Sequence, residues 1–369
     1  MNLKKTVRRA AWLGAAGAIG TAAAGVGVGL LGLAAWRRMS RGEAVGGKVV
    51  VITGGSRGLG LAMAREFAQQ AASLVICARD TNELEWAREE LAHTGANVLA
   101  IQCDVGNHDD VHRMVRETME RCGRIDILIN DAGVMTVGPM PSQTLTDYQE
   151  AMDTMFWGVV YPTLSVLPHM MERRTGQIVN ITSIGGKVAV PHLLPYTAAK
   201  FAATGFSEGL HAEVAKYGIK VTTVVPGLMR TGSFVNAWFK GQNRAEYGWF
   251  SVSSAMPGLA MNARRAARKI VAAIRRGESE IILSPQARLL AMMNGVAPGT
   301  TAELMALANR LMPAADGPDQ QRHLGKDSES AVSDSLLTAF GRRAAQDLHQ
   351  YPEHRSTGGE PLRPIRHPA

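Results

Sequence analysis

The segment from Lys48 to Gln70 restricts the possible folds more than any other. Lys48-Val49-Val50-Val51-Ile52-Thr53 is a short β-branched run, the pattern of a strand covered on both faces. It passes directly into Gly54-Gly55-Ser56-Arg57-Gly58-Leu59-Gly60 and then into a helical pattern, Leu61 to Gln70. Glycines at such a junction let the backbone approach a phosphate group, and the helix N-terminus attracts its charge.

The same alternation continues down the chain. Strands are predicted at Leu74–Ala78, Val98–Cys103, Asp126–Asn130, Gln177–Thr182, Ile219–Val225 and Glu280–Leu283. Helices are predicted at Asn82–His93, His108–Cys122, Thr146–Arg174 (bent near Pro162 and Pro168), around Tyr196, and at Arg264–Arg276. Strands separated by helices of this length imply an α/β, Rossmann-like, doubly wound parallel sheet of about seven strands. It should occupy 48–284.

Before it, Lys4, Lys5, Arg8 and Arg9 precede an uncharged run from Ala10 to Trp36, with Arg37, Arg38 and Arg41 beyond. That length suffices for a tilted membrane span, and Trp12 and Trp36 sit where indoles prefer the interface. A retained N-terminal transmembrane helix within 1–47 is favoured over a cleaved signal or a surface-lying segment. The flanking positive charges nearly tie. The three cysteines lack metal-ligand spacing, which suits a reducing compartment. The one Asn-x-Ser/Thr triplet, Asn180-Ile181-Thr182, falls in a predicted core strand. The catalytic domain is therefore expected on the cytoplasmic face. The formal charge of +8 includes no basic run interleaved with aromatics, which argues against nucleic acid.

Chemistry is concentrated between Ser183 and Lys200. Ser183 closes a predicted strand, Tyr196 follows thirteen residues later, and Lys200 four after that. Positions four apart share a helix face. A cation beside a phenol favours the phenolate and lowers its pKa from about 10, as a general acid/base near neutrality requires.

Together these stretches resemble the short-chain dehydrogenase/reductase family of single-domain type. They are Thr53-Gly54-Gly55-Ser56-Arg57-Gly58-Leu59-Gly60, Asp104-Val105, Asn130-Asp131-Ala132-Gly133, Ser183, Tyr196-x-x-x-Lys200, and Pro226-Gly227 with Thr231. They stand in family order over about 240 residues. With its N-terminal anchor the chain is similar to the hydroxysteroid- and retinol-dehydrogenase-like branch. The resemblance implies hydride transfer between a nicotinamide dinucleotide and a carbonyl or secondary alcohol, and homo-oligomers. Ser183 would position the substrate carbonyl, Tyr196 would move the proton, and Lys200 would tune the phenol and hold the ribose. Gly54, Ser56, Arg57, Gly58, Leu59 and Gly60 would form the phosphate turn. Asp104 and Val105 would meet the adenine. Asn130 would bond backbone at the sheet centre, Ala132 and Gly133 would lie close to the cofactor, and Pro226, Gly227 and Thr231 would meet its nicotinamide end.

Second strands of NAD-binding sheets usually end in an acid that takes the ribose hydroxyls. Here the end reads Cys77-Ala78-Arg79. Arg57 and Arg79 would suit a 2′-phosphate through charge-assisted bonds, so NADP(H) is expected over NAD(H), unless Asp80 pairs with Arg79. Two positions depart from the family pattern. Met155 stands where a catalytic Asn is usual, and Asp131 replaces the second Asn of Asn-Asn-Ala-Gly. A membrane-tethered nucleotide-binding protein with little catalysis is therefore the alternative function.

The stretch Leu228–Leu259, with Phe234, Trp238, Phe239, Tyr247, Trp249 and Phe250, reads as an aromatic lid favouring a small lipophilic substrate. Packing against another subunit or the membrane would use the same residues. Beyond the sheet, 285–313 reads as two short Leu/Met helices, Ala287–Asn294 and Ala302–Met312. The tail, 314–369, turns to Gly, Pro, Ser, Asp, His and Arg. It is expected to be mostly disordered, with one helix from Val332 to Leu348.

Overall fold

A computed structural model of the chain describes residues 42–314, 320–329 and 338–351. The apolar run 10–36 lies outside them, as does most of the tail. Among the described residues no helix is long and apolar enough to cross a membrane.

The sheet is built as the alternation requires. In chain order come β1 (Val49–Thr53), α1 (Gly58–Ala68), β2 (Ser73–Ala78), α2 (Thr81–Ala92), β3 (Val98–Gln102), α3 (His108–Cys122) and β4 (Ile127–Asn130). Then follow α4 (Leu145–Met152), α5 (Gly158–Arg173), β6 (Gly176–Ile181), α6 (Leu194–Val214), β7 (Ile219–Val225), α8 (Ala263–Arg276) and β11 (Glu280–Ile282). Seven strands pair in parallel in the order β11-β7-β6-β4-β1-β2-β3. β1 is wholly buried because helices cover both faces. One layer packs Leu61, Met63 and Phe67 against Ile270 and Ile274 of α8. The other packs Val111, Met114, Val166 and Leu210. Between the layers, polar side chains lace neighbouring strands. Asn130 Nδ2 donates to Asn180 Oδ1 (2.9 Å) and Thr163 Oγ1 (3.2 Å), and Asn180 Nδ2 donates to Ser207 Oγ (2.9 Å). The Asn130 side chain thus joins side chains rather than backbone.

The expected long helix is interrupted elsewhere than at its prolines. Pro162 and Pro168 both lie inside α5. The break is a wider, π-type turn at Asp153–Trp157 that separates α4 from α5 and buries Met155. Such turns insert an extra residue and re-aim side chains, often at functional sites.

The aromatic lid requires correction as well. Its stretch is ordered: β8 (Met229–Arg230), β9 (Trp238–Phe239) and α7 (Asn243–Ala255). Strand β9 pairs with β5 (Thr136–Val137) and β12 (His323–Leu324), and β8 with β10 (Met261–Asn262). Phe234, Phe239, Tyr247 and Phe250 turn toward one another and form a satellite core with Val137 and Ala345. Their burial is internal to the chain.

Two further helices, α9 (Pro285–Val296) and α10 (Pro298–Asn309), follow the sheet. The tail departs from expected disorder where it is described. Residues 320–329 supply β12. Residues 338–351 supply α11 (Ala339–Asp347), whose expected earlier part, 332–337, lies outside the described residues. Ala345 enters the satellite core and Leu348 the α1–α8 layer. Composition hid this because a few apolar side chains meet surface that only the folded domain presents.

Candidate active site

The glycine turn, Asp104-Val105, Asn130-Asp131-Ala132-Gly133, Ser183 and Pro226-Gly227 lie at or just past the carboxyl ends of strands, and Tyr196 and Lys200 lie on α6. β1 has β4 on one side and β2 on the other, so the chain reverses direction across the sheet there. The crevice at such a point is where open α/β sheets bind ligands.

The glycine turn is packed so closely that side chains are excluded. Gly54 (φ +69°) lies against the Ala132 backbone, and a Cβ on Gly60 would collide with the Gly54 carbonyl. Thr53 Oγ1 accepts from the Asp131 and Ala132 amides (3.1 and 3.2 Å), which fixes the turn to the end of β4. Val105 is buried and packs on Gly158, where a Cβ would lie 2.6 Å from its Cγ2. Asp104 Oδ1 accepts from the Gly106 amide (3.0 Å). Gly133 faces Met155. The Pro226 carbonyl accepts from the Ile184 amide (2.7 Å), and Gly227 lies under Ser284. Thr231 Oγ1 accepts from the Ser233 amide (3.3 Å). A backbone-lined turn of this kind suits a dinucleotide, and the Leu348 carbonyl lies across it at the Gly58 amide (3.0 Å).

Ser183 caps a short 3₁₀ turn, Ile184–Gly186, its Oγ accepting from the Gly185 amide (3.0 Å). Its hydroxyl lies beside the Tyr196 ring, the two within 3.4 and 3.1 Å of where a Cβ on Gly185 would stand. Tyr196 and Lys200 lie one turn apart on α6, with Lys200 Nζ 5.9 Å from the ring centroid. The Lys200 ammonium donates to the Ile181 carbonyl (2.8 Å). The three side chains therefore meet.

The electrostatics differ from the sequence expectation. Burial pushes the Tyr196 phenol above its ordinary value; the Ser183 hydroxyl opposes the rise, and the Asp131 carboxylate adds to it. Burial pushes Lys200 down, and Asp131 opposes that fall. Asp131 itself is raised by burial, against the pull of Lys200 and of the Gly60 amide. Burial thus dominates all three groups, and Asp131 adds to it at Tyr196 while opposing it at Lys200. Met155 packs with Ala151 and Ala199 against Tyr196, supplying apolar contact where an amide was expected.

At the second strand, Asp80 does not pair with Arg79. It caps α2, accepting from the Asn82 and Glu83 amides (2.9 Å each). Glu83, which no local motif marks, binds Arg57 Nη1 (2.9 Å) and accepts from Ser56 Oγ (3.4 Å). Arg79 is exposed and lines a cleft of about 260 Å³ with Met155, Tyr196 and Trp238.

A second cavity of about 640 Å³ opens beside the N-terminus of α6. Its wall includes Pro139, Met140, Val188, Val190, Leu194 and Met305. Its polar side chains include His192, in the left-handed region (φ +60°), whose carbonyl accepts from the Gly138 amide (2.9 Å). His192 Nδ1 meets buried Glu246 Oε1 at 2.7 Å, and Trp249 Nε1 donates to Glu246 Oε2 (2.7 Å). Sequence reading missed this pair because its members lie 54 residues apart.

A model of the short chain dehydrogenase family matches residues 48–240. The chain is 37% identical to a dehydrogenase/reductase SDR family protein 7-like from Anopheles gambiae over 244 residues, 65% of this chain and 75% of that protein. It is 38% identical to 11-beta-hydroxysteroid dehydrogenase A of Sesamum indicum over 201 residues, 53% of this chain and 57% of that one. Among solved structures it resembles a gluconate 5-dehydrogenase from Burkholderia cenocepacia in complex with NADP and tartrate. There the TM-score is 0.57 at 26% identity, covering 66% of this chain and 96% of that one.

Proposed function

The chain belongs to the short-chain dehydrogenase family, an NAD(P)-dependent oxidoreductase acting on CH–OH groups, and from that premise we propose that it interconverts a carbonyl and a secondary alcohol on a lipophilic substrate. The large apolar cavity beside α6 supports this reading, with Tyr196 itself lining the smaller cleft. Its volume falls in the roughly 300–1,000 Å³ range of small-molecule sites, and its lining is mostly aliphatic. The 11-beta-hydroxysteroid dehydrogenase relative supports the same substrate class by its name.

When bound, the nicotinamide supplies or takes up the hydride. The chain's own residues do the rest. Ser183 holds the substrate oxygen next to Tyr196, whose phenol gives up or takes the proton on that oxygen. Lys200 keeps a positive charge near the phenol and the cofactor ribose. Ser56 and Leu59 hold the phosphates, which Gly54, Gly58 and Gly60 let approach the backbone closely, Asp104 and Val105 flank the adenine, and Thr231 meets the carboxamide end. The fused-ring and long-chain members of a ketone panel should be reduced with kcat/KM at least tenfold above small polar ketones. Preference for the polar members would sink the lipophilic assignment.

For the cofactor we propose NADP(H). Arg79 is exposed at the end of β2, where an acid would take ribose hydroxyls in an NAD site, and Asp80 is committed to its helix cap. Glu83 favours the other outcome, since its carboxylate neutralises Arg57 and faces Ser56. Burial raises the Glu83 carboxyl, with Arg57 opposing. The expected result is that NADP(H) binds at least tenfold more tightly than NAD(H), that Arg79→Ala removes most of the difference, and that Glu83→Gln widens it. Equal affinities in the unmodified protein, with Glu83→Gln weakening NAD(H), would assign Glu83 as a ribose ligand instead.

A further inference from the structure

Near the C-terminus, residues 347–351 cross the mouth of the glycine turn. Asp347, at the end of α11, is held by Arg264 Nη2 (2.7 Å), and its carbonyl accepts from Arg65 Nη2 (2.8 Å). His349 stacks on Trp86 of α2, ring centroids 3.4 Å apart and planes within 3°, and its Nε2 meets Glu90 Oε2 at 2.7 Å. Its backbone is left-handed (φ +57°), which turns Gln350 back toward α1. The Leu348 carbonyl accepts from the Gly58 amide (3.0 Å).

That bond takes a donor away from the phosphate turn. The first amides of a helix are the groups that hold a phosphate. In this chain Gly58 N–H is committed to Leu348. The same C-terminal segment brings a donor to the same place. Gln350 is 3% exposed. Its amide N–H donates to the Ala345 carbonyl (2.8 Å), and its carbonyl and Oε1 both accept from Asn236 Nδ2 (2.9 and 2.7 Å). With Oε1 fixed by Asn236, Nε2 must face the other way. It lies 3.1 Å from where a Cβ on Gly58 would stand and has no acceptor among the described residues. Nε2 still reaches solvent at the turn, so it is free to donate to a ligand there.

We propose that Gln350 is a cofactor-binding residue contributed by the C-terminal segment, donating from Nε2 to a pyrophosphate oxygen of the bound dinucleotide. This rests on the dinucleotide site proposed above and adds a wall to it. Asn236 lies just past Thr231, so the segment also ties the turn at α1 to the stretch expected at the nicotinamide end.

Calorimetric titration of the full chain with NADP⁺ and, separately, NAD⁺ tests it. A hydrogen bond to a charged group is worth enough that Gln350→Ala should weaken both dinucleotides by roughly 10- to 100-fold. The factor should be the same for both, because the pyrophosphate is common to them. Gln350→Glu should weaken them further. Should the variants fold poorly, hydrogen exchange of 339–351 in the unmodified protein gives an independent reading. Saturating NADP⁺ should slow exchange there. Unchanged or tighter binding by Gln350→Ala, or faster exchange on adding NADP⁺, overturns the proposal and makes the segment an occluding strap or bystander. An unmodified chain that binds neither dinucleotide removes the site itself, an outcome distinct from binding that ignores Gln350.

Discussion

Replacing Tyr196 with phenylalanine is expected to lower turnover by roughly 10²- to 10⁴-fold, the scale of a general acid/base group, while dinucleotide affinity holds. The ring is packed by Met155, Ala151 and Ala199, and that packing survives loss of the hydroxyl. Steady-state kinetics with separate cofactor titration check both halves. Near-normal turnover would remove Tyr196 from the chemistry. The same phenol gives a pH prediction whose sign follows from its neighbours. Burial and Asp131 raise it, and Ser183 opposes the rise. Alcohol oxidation needs the deprotonated phenol, so its rate should climb only as pH passes a value above the ordinary tyrosine range. Asp131→Asn removes a negative charge that disfavours the phenolate. The climb should then move to lower pH.

The second large effect is on stability. Asp147 and Lys240 form an ion pair at 2.5 Å with both side chains essentially inaccessible. Asp147 also receives the Arg322 guanidinium (2.5 Å) and caps α4 through Thr144, whose Oγ1 donates to it at 2.8 Å. Burial alone would raise this carboxyl, but the bonds from Lys240, Thr144 and Arg322 outweigh it and hold it below its ordinary value. Asp147→Ala strands a buried ammonium, a change that costs about 3–5 kcal/mol. Thermal unfolding should show a drop of roughly 6–15 °C. The paired replacement Asp147→Leu with Lys240→Met should recover most of it, because an apolar pair removes both charges together. A single variant as stable as the parent would show that water reaches the pair.

The parts that were legible in the sequence are those encoded locally. His108–Cys122 was placed to the residue because Asn107 caps it, its side chain accepting from the Asp109 and Asp110 amides, and Gly123 ends it in the left-handed region. Ile219–Val225 is equally clear, a run of strand formers interrupted only by exposed Lys220 and closed by Pro226. Ser183, Tyr196 and Lys200 were found because their separations bring them together on one strand end and one helix face.

What escaped depends on contacts between distant residues. The π-type turn at Asp153–Trp157 carries no punctuating residue, whereas Pro162 and Pro168, which look like breaks, sit inside α5. The lid aromatics were visible, but only the pairing of β9 with β5 and β12 shows that they face each other. Glu83 reads as an ordinary first-turn acid of α2; its bond to Arg57 joins residues 26 apart. Gln350 sits in a stretch whose composition suggests disorder, and its partner Asn236 is 114 residues away. The rise of the Tyr196 phenol escapes the sequence for a related reason. The Tyr-x-x-x-Lys spacing is local, but the burial and the facing Asp131 that govern it come from the fold.

The central claim is that this chain moves a hydride and a proton between a dinucleotide and a carbonyl carbon, with Tyr196 handling the proton. It is tested most directly with NADPH carrying deuterium at the transferable position of nicotinamide C4. A lipophilic ketone is supplied, and the alcohol product is analysed by mass spectrometry. The account predicts deuterium on the carbinol carbon with the unmodified protein, and almost none from Tyr196→Phe over the same interval although that variant still binds NADPH. Tight binding of NADPH by the unmodified protein, with no deuterium appearing in any ketone or aldehyde offered, would contradict it.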